Sequence, residues 1–587
     1  MIPRKVSLVR VTDAIALAPS RRFSLKLAAK ALYLWLIHHR EWLLIAAILL
    51  TAAFLHGINM FHFPYYEDDE GTYMSQAWAI VKEGQLAPYT YWYDHAPLGW
   101  IQIAAWTLVS GGFHTFGSVV DSGRVLMLLM QVGATFMVYR IARNISQNAA
   151  VAMIAALLFA LSPYGIYFHR RVLLDNIATF WMLLSILLLV SRHLSLKRVW
   201  LSAVALGISI LSKELTIFLV PVLSCLVLLR ADKSHRWFAA VGWITLVGSI
   251  VSLYVLMAIL KGELFPTGTL LGGTSPHVSL LGTLQFEASR EKDGGLLDLH
   301  SHFWLLTKTW ARDDPMLVVG GSLCAILSVL IMKKQRLVGV IGAATLSLWV
   351  FLGRGGQIIG FYLLPLSPLL ALNVALVLGI AFNLMKTWLV RLPGIRVIHI
   401  LKMVTVGLCL VGTLVGYTSP DLGYRSNSFL LWNGSQADAQ QQAIEWIKEH
   451  VPPSSHMIID QYMWTDLRDN YPDIYTFAHY YWKVEDDPAI RDAVFHNDWR
   501  NIDYVVATPQ MLVDAGRNHM TFVEAAIDHS TVIAHFDTGG WPIDIREVNN
   551  GKREDKTGML SSCSIAYASG QGQGMWGKLA RGRCLTP

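Results

Sequence analysis

Residues 63–100 read FPYYEDDEGTYMSQAWAIVKEGQLAPYTYWYDHAPLGW. Four consecutive acids, Glu67, Asp68, Asp69 and Glu70, follow the first long apolar run of the chain. An aromatic-rich segment comes next and ends in a second polar turn, Asp94-His95-Ala96-Pro97-Leu98. Acid clusters commonly mark solvated faces. Here the cluster and the turn lie between membrane spans at one surface, where a chain that merely crosses a bilayer has no use for them.

The composition around this stretch is that of a membrane protein. Of 587 residues 54% are hydrophobic and 15% charged, with mean hydropathy +0.42, whereas soluble domains carry about 25% charge. Apolar runs of roughly 18 residues or more recur from Leu43 onward, as spanning helices require. The net charge of +7 comes from Lys and Arg in short loops between those runs. The positive-inside rule accounts for it without nucleic acid. The 5 cysteines show no metal-ligand spacing. Cys225, Cys324 and Cys409 fall in apolar runs as small core residues, while Cys563 and Cys584 lie in the polar tail and can pair if that tail is outside the cytoplasm.

Taken in order, residues 1–41 form a basic arm, interrupted too often for a cleaved signal peptide, with a surface helix near Phe23–His38. The first span covers about Trp42–Met60 and leaves the acidic stretch outside. Residues 61–123 form an outer loop with two surface helices, Gly71–Lys82 ended by Gly84, and Leu98–Phe113 closed by Gly111-Gly112. Alternating basic loops then set the parity of spans up to Val404–Tyr417, with a second long outer loop over residues 261–315. The expected fold class is a polytopic α-helical membrane protein with about eleven spans. Its transmembrane domain covers 42–417, and residues 418–587 form a soluble extracytoplasmic α/β domain. In that domain Gln436–His450 reads as an amphipathic helix, and His456–Asp460, Asp503–Ala507, Thr531–Phe536 and Pro542–Val548 read as strands.

Several motifs occur in a fixed order. Asp69-Glu70 comes first, then Asp94-His95-Ala96-Pro97-Leu98-Gly99, then His169-Arg170-Arg171-Val172-Leu173-Leu174-Asp175. Leu211-Ser212-Lys213 follows, and Tyr362-Leu-Leu-Pro365-Leu-Ser-Pro368 comes late in the membrane region. Over residues 40–420 this series resembles the GT-C membrane glycosyltransferases, above all the protein O-mannosyltransferase and aminoarabinose-transferase branch. Ala96 departs from that branch, which has Pro-Pro-Leu. The resemblance implies sugar transfer from a polyprenyl-phosphate donor, with inversion, to a lipid, glycan or protein acceptor outside the plasma membrane. It does not imply a metal, although an acid cluster is also a way to hold a divalent cation.

The residue chemistry leads the same way. Transfer to a hydroxyl needs a carboxylate to take the proton, and a phosphate leaving group needs fixed cations. Asp69 is the expected general base and Glu70 its helper, though both also stand where acids cap helices. Glu67 and Asp68 read as solvated. Asp94 and His95 are placed to position the donor phosphate or support the base. Arg124, about one turn inside its span, is either a phosphate contact or a snorkelling cation. Arg170 and Arg171 meet the outer boundary, one as phosphate ligand, Arg170 by family spacing, and the other as an ordinary flank. Lys213 either pairs with Glu214 or faces ligand. Arg354 and Tyr362 complete the candidate set. The rival reading is a lipid-linked sugar flippase or transporter, for which neither a repeat nor a mid-membrane charge is evident.

Overall fold

The computed structural model describes residues 21–274, 277–289, 294–389, 395–418, 430–469 and 475–550. Residues 1–20 of the basic arm and both tail cysteines, Cys563 and Cys584, lie outside the described residues. Helix α1, Arg21–Gly57, runs unbroken for 37 residues. The surface helix expected near Phe23 is therefore continuous with the first span, whose most apolar part is His38–Gly57.

The acidic stretch folds as its capping chemistry dictates. Helix α2, Asp68–Glu83, starts after Glu67, whose backbone N–H donates to the Glu70 carboxylate at 3.0 Å, and ends at Gly84 with φ 69°. Helix α3, Leu98–Ser110, follows the Asp94–Pro97 turn and ends at Gly111 with φ 104°. Helix α4, Val119–Ser146, begins in a second capping box between Ser118 and Asp121 and packs against α1, α5 (Ala149–Ala160) and α7 (Leu174–Leu189). Between α5 and α7 the span breaks by 58° where Ser162 caps α6, Pro163–His169. Proline at a helix start accounts for such a kink. Helix α8, Leu196–Ser212, packs against α7 and leads through Lys213 into a 3-10 turn over Glu214–Leu219.

Further along come α9 (Val220–Arg230), α10 (Arg236–Leu260), the outer-loop helices α11 (Leu280–Ser289) and α12 (His302–Asp313), then α13 (Ser322–Leu330), α14 (Arg336–Leu352), α15 (Ser367–Leu389) and α16 (Ile395–Gly416). Among the described residues four helices are long and apolar enough to cross a membrane, or up to six if each bent pair is one span. The other expected spans appear as shorter apolar helices, such as Leu174–Leu189 and Arg336–Leu352. Cys225, expected in the core, is exposed on the outside of α9.

Residues 430–550 carry the sheet. Helix α17, Gln436–His450, precedes β1 (Met457–Ile459) and α18 (Gln461–Arg468). Then come β2 (Ala478–Tyr480), α19 (Tyr481–Asp486), β3 (Tyr504–Ala507), α20 (Pro509–Asn518), α21 (Thr521–Asp528), β4 (Ser530–Thr538) and β5 (Trp541–Val548). The strand order is β2-β1-β3-β5-β4, parallel around β1 and antiparallel through β5. Three-residue β2 lacks the alternation that marks a strand in sequence and was not expected.

This unit sits on α2. A Cβ added at Gly71 would lie 2.2 Å from the backbone of Gln461 and Tyr462, so α2 and the start of α18 touch main chain to main chain. Tyr65 stacks on Trp541 with ring centroids 3.7 Å apart, and Trp78 donates to Asp469 at 2.8 Å. Gln440 accepts from the Tyr66 N–H at 2.6 Å and donates to its carbonyl at 2.9 Å. Gly71→Ala is therefore expected to weaken this contact by about 1–3 kcal/mol. Gly516→Ala, where nothing lies within 4 Å, is expected to be neutral. Limited proteolysis of residues 430–550 checks the contrast, and equal resistance in both variants would remove the close-approach argument.

Candidate functional site

The floor of the site is built by one guanidinium. Arg124 is fully buried and each of its donors is used. Nε donates to Glu70 Oε1 at 2.9 Å and Nη2 to Glu70 Oε2 at 2.7 Å. Nη1 donates to the carbonyls of Met60 at 2.7 Å and Pro64 at 3.0 Å, and Nη2 also to Tyr65 at 3.1 Å. An arginine has five N–H donors in total, so none is left for a phosphate. Glu70 is equally occupied, since Oε1 also accepts from Val172 N–H at 2.9 Å and Oε2 from Glu67 N–H. The expected roles of Arg124 as phosphate contact and Glu70 as catalytic helper give way to a frame that fixes the loop before α2.

Asp69, next to this frame, points elsewhere. It is half-buried and accepts from the Tyr73 hydroxyl at 3.3 Å. Burial raises its pKa above the ordinary carboxylate range, while the positive charges of Lys213 and His95 pull it back part of the way. Lys213 Nζ donates to His95 Nε2 at 3.0 Å and lies 3.7 Å from Asp175 Oδ2. The opposite ring nitrogen, His95 Nδ1, faces Glu214 Oε2 at 3.0 Å, and Ala96 N–H holds Glu214 Oε1 at 2.7 Å. A neutral His95 with its proton on Nδ1 satisfies both partners. Burial and Lys213 oppose a positive charge on His95, yet the Glu214 carboxylate outweighs them and raises its pKa. For Lys213, burial disfavours the charge and Asp175 more than restores it, so the ammonium persists far above neutral pH.

Tyr362 closes this side, its ring 5.2 Å from Lys213 Nζ. Asp175 is fully buried, and neither of its oxygens accepts a hydrogen bond among the described residues. Asp94 is exposed nearby, close enough for its charge to act on both Asp69 and His95. Arg354 is exposed beside Tyr362, donating to Phe351 O at 3.1 Å and lying over the Phe351 ring.

The remaining expected cations turn inward. Arg170 donates to the carbonyls of Phe63 at 3.1 Å and Leu55 at 2.7 Å. Arg171 is ion-paired with Glu67, lies over the Tyr65 ring at 4.5 Å and donates to the Tyr167 hydroxyl at 3.0 Å. Arg170 thus holds the loop before α2 through its carbonyls and Arg171 through Glu67. Glu67 and Asp68, expected in solvent, are both engaged, Asp68 accepting from Tyr481 at 2.5 Å. Lys213 does not pair with Glu214 directly, because His95 stands between them. Asp175 and Tyr73 were missed. Asp175 carried a signal, a carboxylate entering an apolar helix, whereas Tyr73 looked like one more apolar helix position. Among the described residues no three of His, Cys, Asp and Glu are grouped as a metal site.

Residues 43–263 match the family described as dolichyl-phosphate-mannose-protein mannosyltransferase. No curated protein matches the chain. Among solved structures, ArnT from Cupriavidus metallidurans bound to undecaprenyl phosphate aligns with TM-score 0.54 at 15% identity, covering 87% of this chain and 98% of that one. The same protein in the apo state aligns with TM-score 0.52 at 14% identity, covering 88% and 98%. The oligosaccharyltransferase AglB from Archaeoglobus fulgidus, in complex with an inhibitory peptide and a dolichol-phosphate, gives 0.50 at 11%, covering 84% and 73%. At these identities the likeness establishes the GT-C fold.

Removing one partner of the buried pair strands the other charge. Arg124→Ala is expected to cost about 3–5 kcal/mol, read as a steep fall in the thermal unfolding midpoint in nanodiscs, while Arg354→Ala leaves the midpoint in place. An unshifted Arg124→Ala midpoint would show that the pair does not hold the loop.

Proposed function

We propose that this chain, whose residues 43–263 match the mannosyltransferase family and whose fold is GT-C, is a membrane glycosyltransferase that passes a sugar from a polyprenyl-phosphate donor to an extracytoplasmic acceptor hydroxyl with inversion. The observation that supports this reading is that Asp69 lies within charge range of Lys213 and His95, with Lys213 in turn against His95 and Asp175. Asp69 takes the acceptor proton as the acceptor oxygen bonds to the anomeric carbon. The bond from that carbon to the phosphate oxygen breaks, and its electron pair leaves with the polyprenyl phosphate. Lys213 and, at the rim, Arg354 balance the charge that develops there. Asp175, a buried carboxylate without a donor, is suited to a hydroxyl of the donor sugar. Asp94 and Tyr362 stand beside the same charges.

In this reading about eleven spans form the domain over residues 42–417 in the plasma membrane. Its outer loops lie at 61–123 and 261–315, and residues 418–587 stand outside and shape acceptor choice. Undecaprenyl phosphate in ArnT and dolichol-phosphate in AglB support a polyprenyl-phosphate donor, and the acceptor is a lipid, glycan or protein hydroxyl.

The direct test is a panel of polyprenyl-phosphate sugars offered to the purified protein with membrane extract as acceptor source. Release of polyprenyl phosphate is expected to fall about 10²–10⁴-fold in Asp69→Asn, with donor binding kept. Retained turnover would remove Asp69 from the mechanism. Binding of intact lipid without turnover of any donor would favour a flippase. A pH series gives a second check. Transfer needs ionised Asp69, whose pKa is raised, so kcat/KM is expected to fall on acidification at a pH above the ordinary carboxylate value of about 3.9. An acid limb at the ordinary value, or none, would contradict the assignment.

A further inference from the structure

The second long loop presents a cluster of apolar side chains outside the helices that can span a membrane. Leu296, Leu297 and Leu299 are exposed, Leu297 by 96%, and exposed Leu305 follows on α12. Apolar surface gathered in this way marks a contact with another body. The loop lies on the same side as the candidate site, because Thr283 donates to Trp92 O at 2.6 Å and the Tyr93 hydroxyl to Glu263 at 2.6 Å.

Helix α12 runs beside a span and is not part of one. Lys308, Arg312 and Asp313 stand among its 12 residues, too much charge for hydrocarbon. The chain then turns by 112° into the apolar helix Met316–Leu330. Asp314 fixes the turn, accepting from Leu317 N–H at 3.0 Å and from the Ser162 hydroxyl at 2.5 Å. With Met316–Leu330 crossing the bilayer, α12 is left close to the membrane plane. On the crossing helix Val319, Leu323 and Ile326 are exposed, the surface that a span turns to lipid. On α12 Phe303 and Trp310 are buried, while Leu305 and Lys308 are exposed three residues apart, an apolar group beside a cation.

The same segment holds the loop that carries Arg354. Leu296 N–H donates to Gly353 O at 2.8 Å, His302 Nε2 lies 3.2 Å from Ile358 O, and Trp310 Nε1 donates to Gly360 O at 2.7 Å. A Cβ added at Gly295, where φ is 51°, would fall 2.4 Å from Gly353 O, so the two loops meet main chain to main chain. Residues 353–360 are thus tied at both ends to residues 295–310.

We propose that residues 294–313 are a membrane-surface anchor that seats Leu297, Leu299 and Leu305 in the lipid leaflet on the side of the site and holds Arg354 at the depth of the headgroups. An amphipathic helix placed this way lies in the plane of the interface with its apolar groups just below the headgroups, and Lys308 beside Leu305 meets lipid phosphate. Leu297 and Leu299 act through Arg354 as positioning residues for a phosphate carried on a lipid. That effect on the donor rests on the glycosyltransferase reading; the lipid contact does not.

The test places the photo-crosslinker p-benzoylphenylalanine at position 297, 299 or, as a control, 512 on α20, in the full-length protein in nanodiscs of phosphatidylethanolamine and phosphatidylglycerol. Lipid adducts are expected at 297 and 299 and not at 512. Kinetics with a polyprenyl-phosphate sugar run alongside. Leu297→Asn combined with Leu299→Asn is expected to raise KM about tenfold with kcat unchanged. Leu297→Trp combined with Leu299→Trp, which suits the interface, is expected to keep the wild-type KM. Adducts no stronger at 297 and 299 than at 512, or crosslinks to a second copy of the chain in place of lipid, overturn the anchor. An unchanged KM in the Asn pair, or a fall in kcat shared by both pairs, overturns the link to Arg354. Crosslinking is read without any donor, so a failure of the glycosyltransferase reading leaves the lipid contact standing on its own.

Discussion

A guanidinium sealed from water, with each donor spent on the protein, is the constraint from which the site follows. Taking Arg124 and Glu70 out of solvent costs several kcal/mol per ion unless geometry and further hydrogen bonds recover it. Here the recovery comes from a two-point contact plus three loop carbonyls and the Val172 N–H. The pair ties the segment before α2 to the entry of α4 and to the turn after Arg171. Asp69 sits one residue from this knot and inherits its rigidity. That is the kind of support by which a side chain is held to within a fraction of an ångström.

The cations then divide by what they face. Arg124, Arg170 and Arg171 donate to carbonyls, carboxylates and a phenol inside the outer loop, where forked, weakly hydrated guanidinium groups do well. Lys213, a compact ammonium, is left at the cleft between Asp175, His95 and the ring of Tyr362. The Glu214–His95–Lys213 chain orients the imidazole from one side and the ammonium from the other. The charge opposite Asp69 is thereby fixed in place before anything binds.

Much of this was legible in the sequence, and the failures share one cause. Helix ends at Gly84 and Gly111 were readable because glycine caps have local signatures, and the acid cluster does lie within charge range of the Asp94-His95 turn and Lys213. Phosphate was one of two readings of Arg124, because an arginine at a membrane boundary looks the same whether its partners are phosphate oxygens or backbone carbonyls. Carbonyls leave no trace in a sequence. Asp68 was placed in solvent because its partner Tyr481 stands 413 residues downstream, beyond any pattern that a single chain displays. One of the two readings of Lys213 paired it with Glu214, its neighbour in sequence, whereas the fold inserts a histidine from another loop.

The same long-range closure has a consequence for timing. Tyr65, Asp68, Ser75 and Trp78 on the outer loop take partners from residues 436–541, with sequence separations such as 371, 391 and 413. At about 5–20 residues per second, the ribosome delivers the second half of these contacts roughly 20–80 seconds after the first. Throughout that interval the acidic loop stands without the wall that covers it. A chain that stalls before the sheet is made is left with an unbraced acidic loop. Maturation is thereby coupled to the last segment of the fold to emerge.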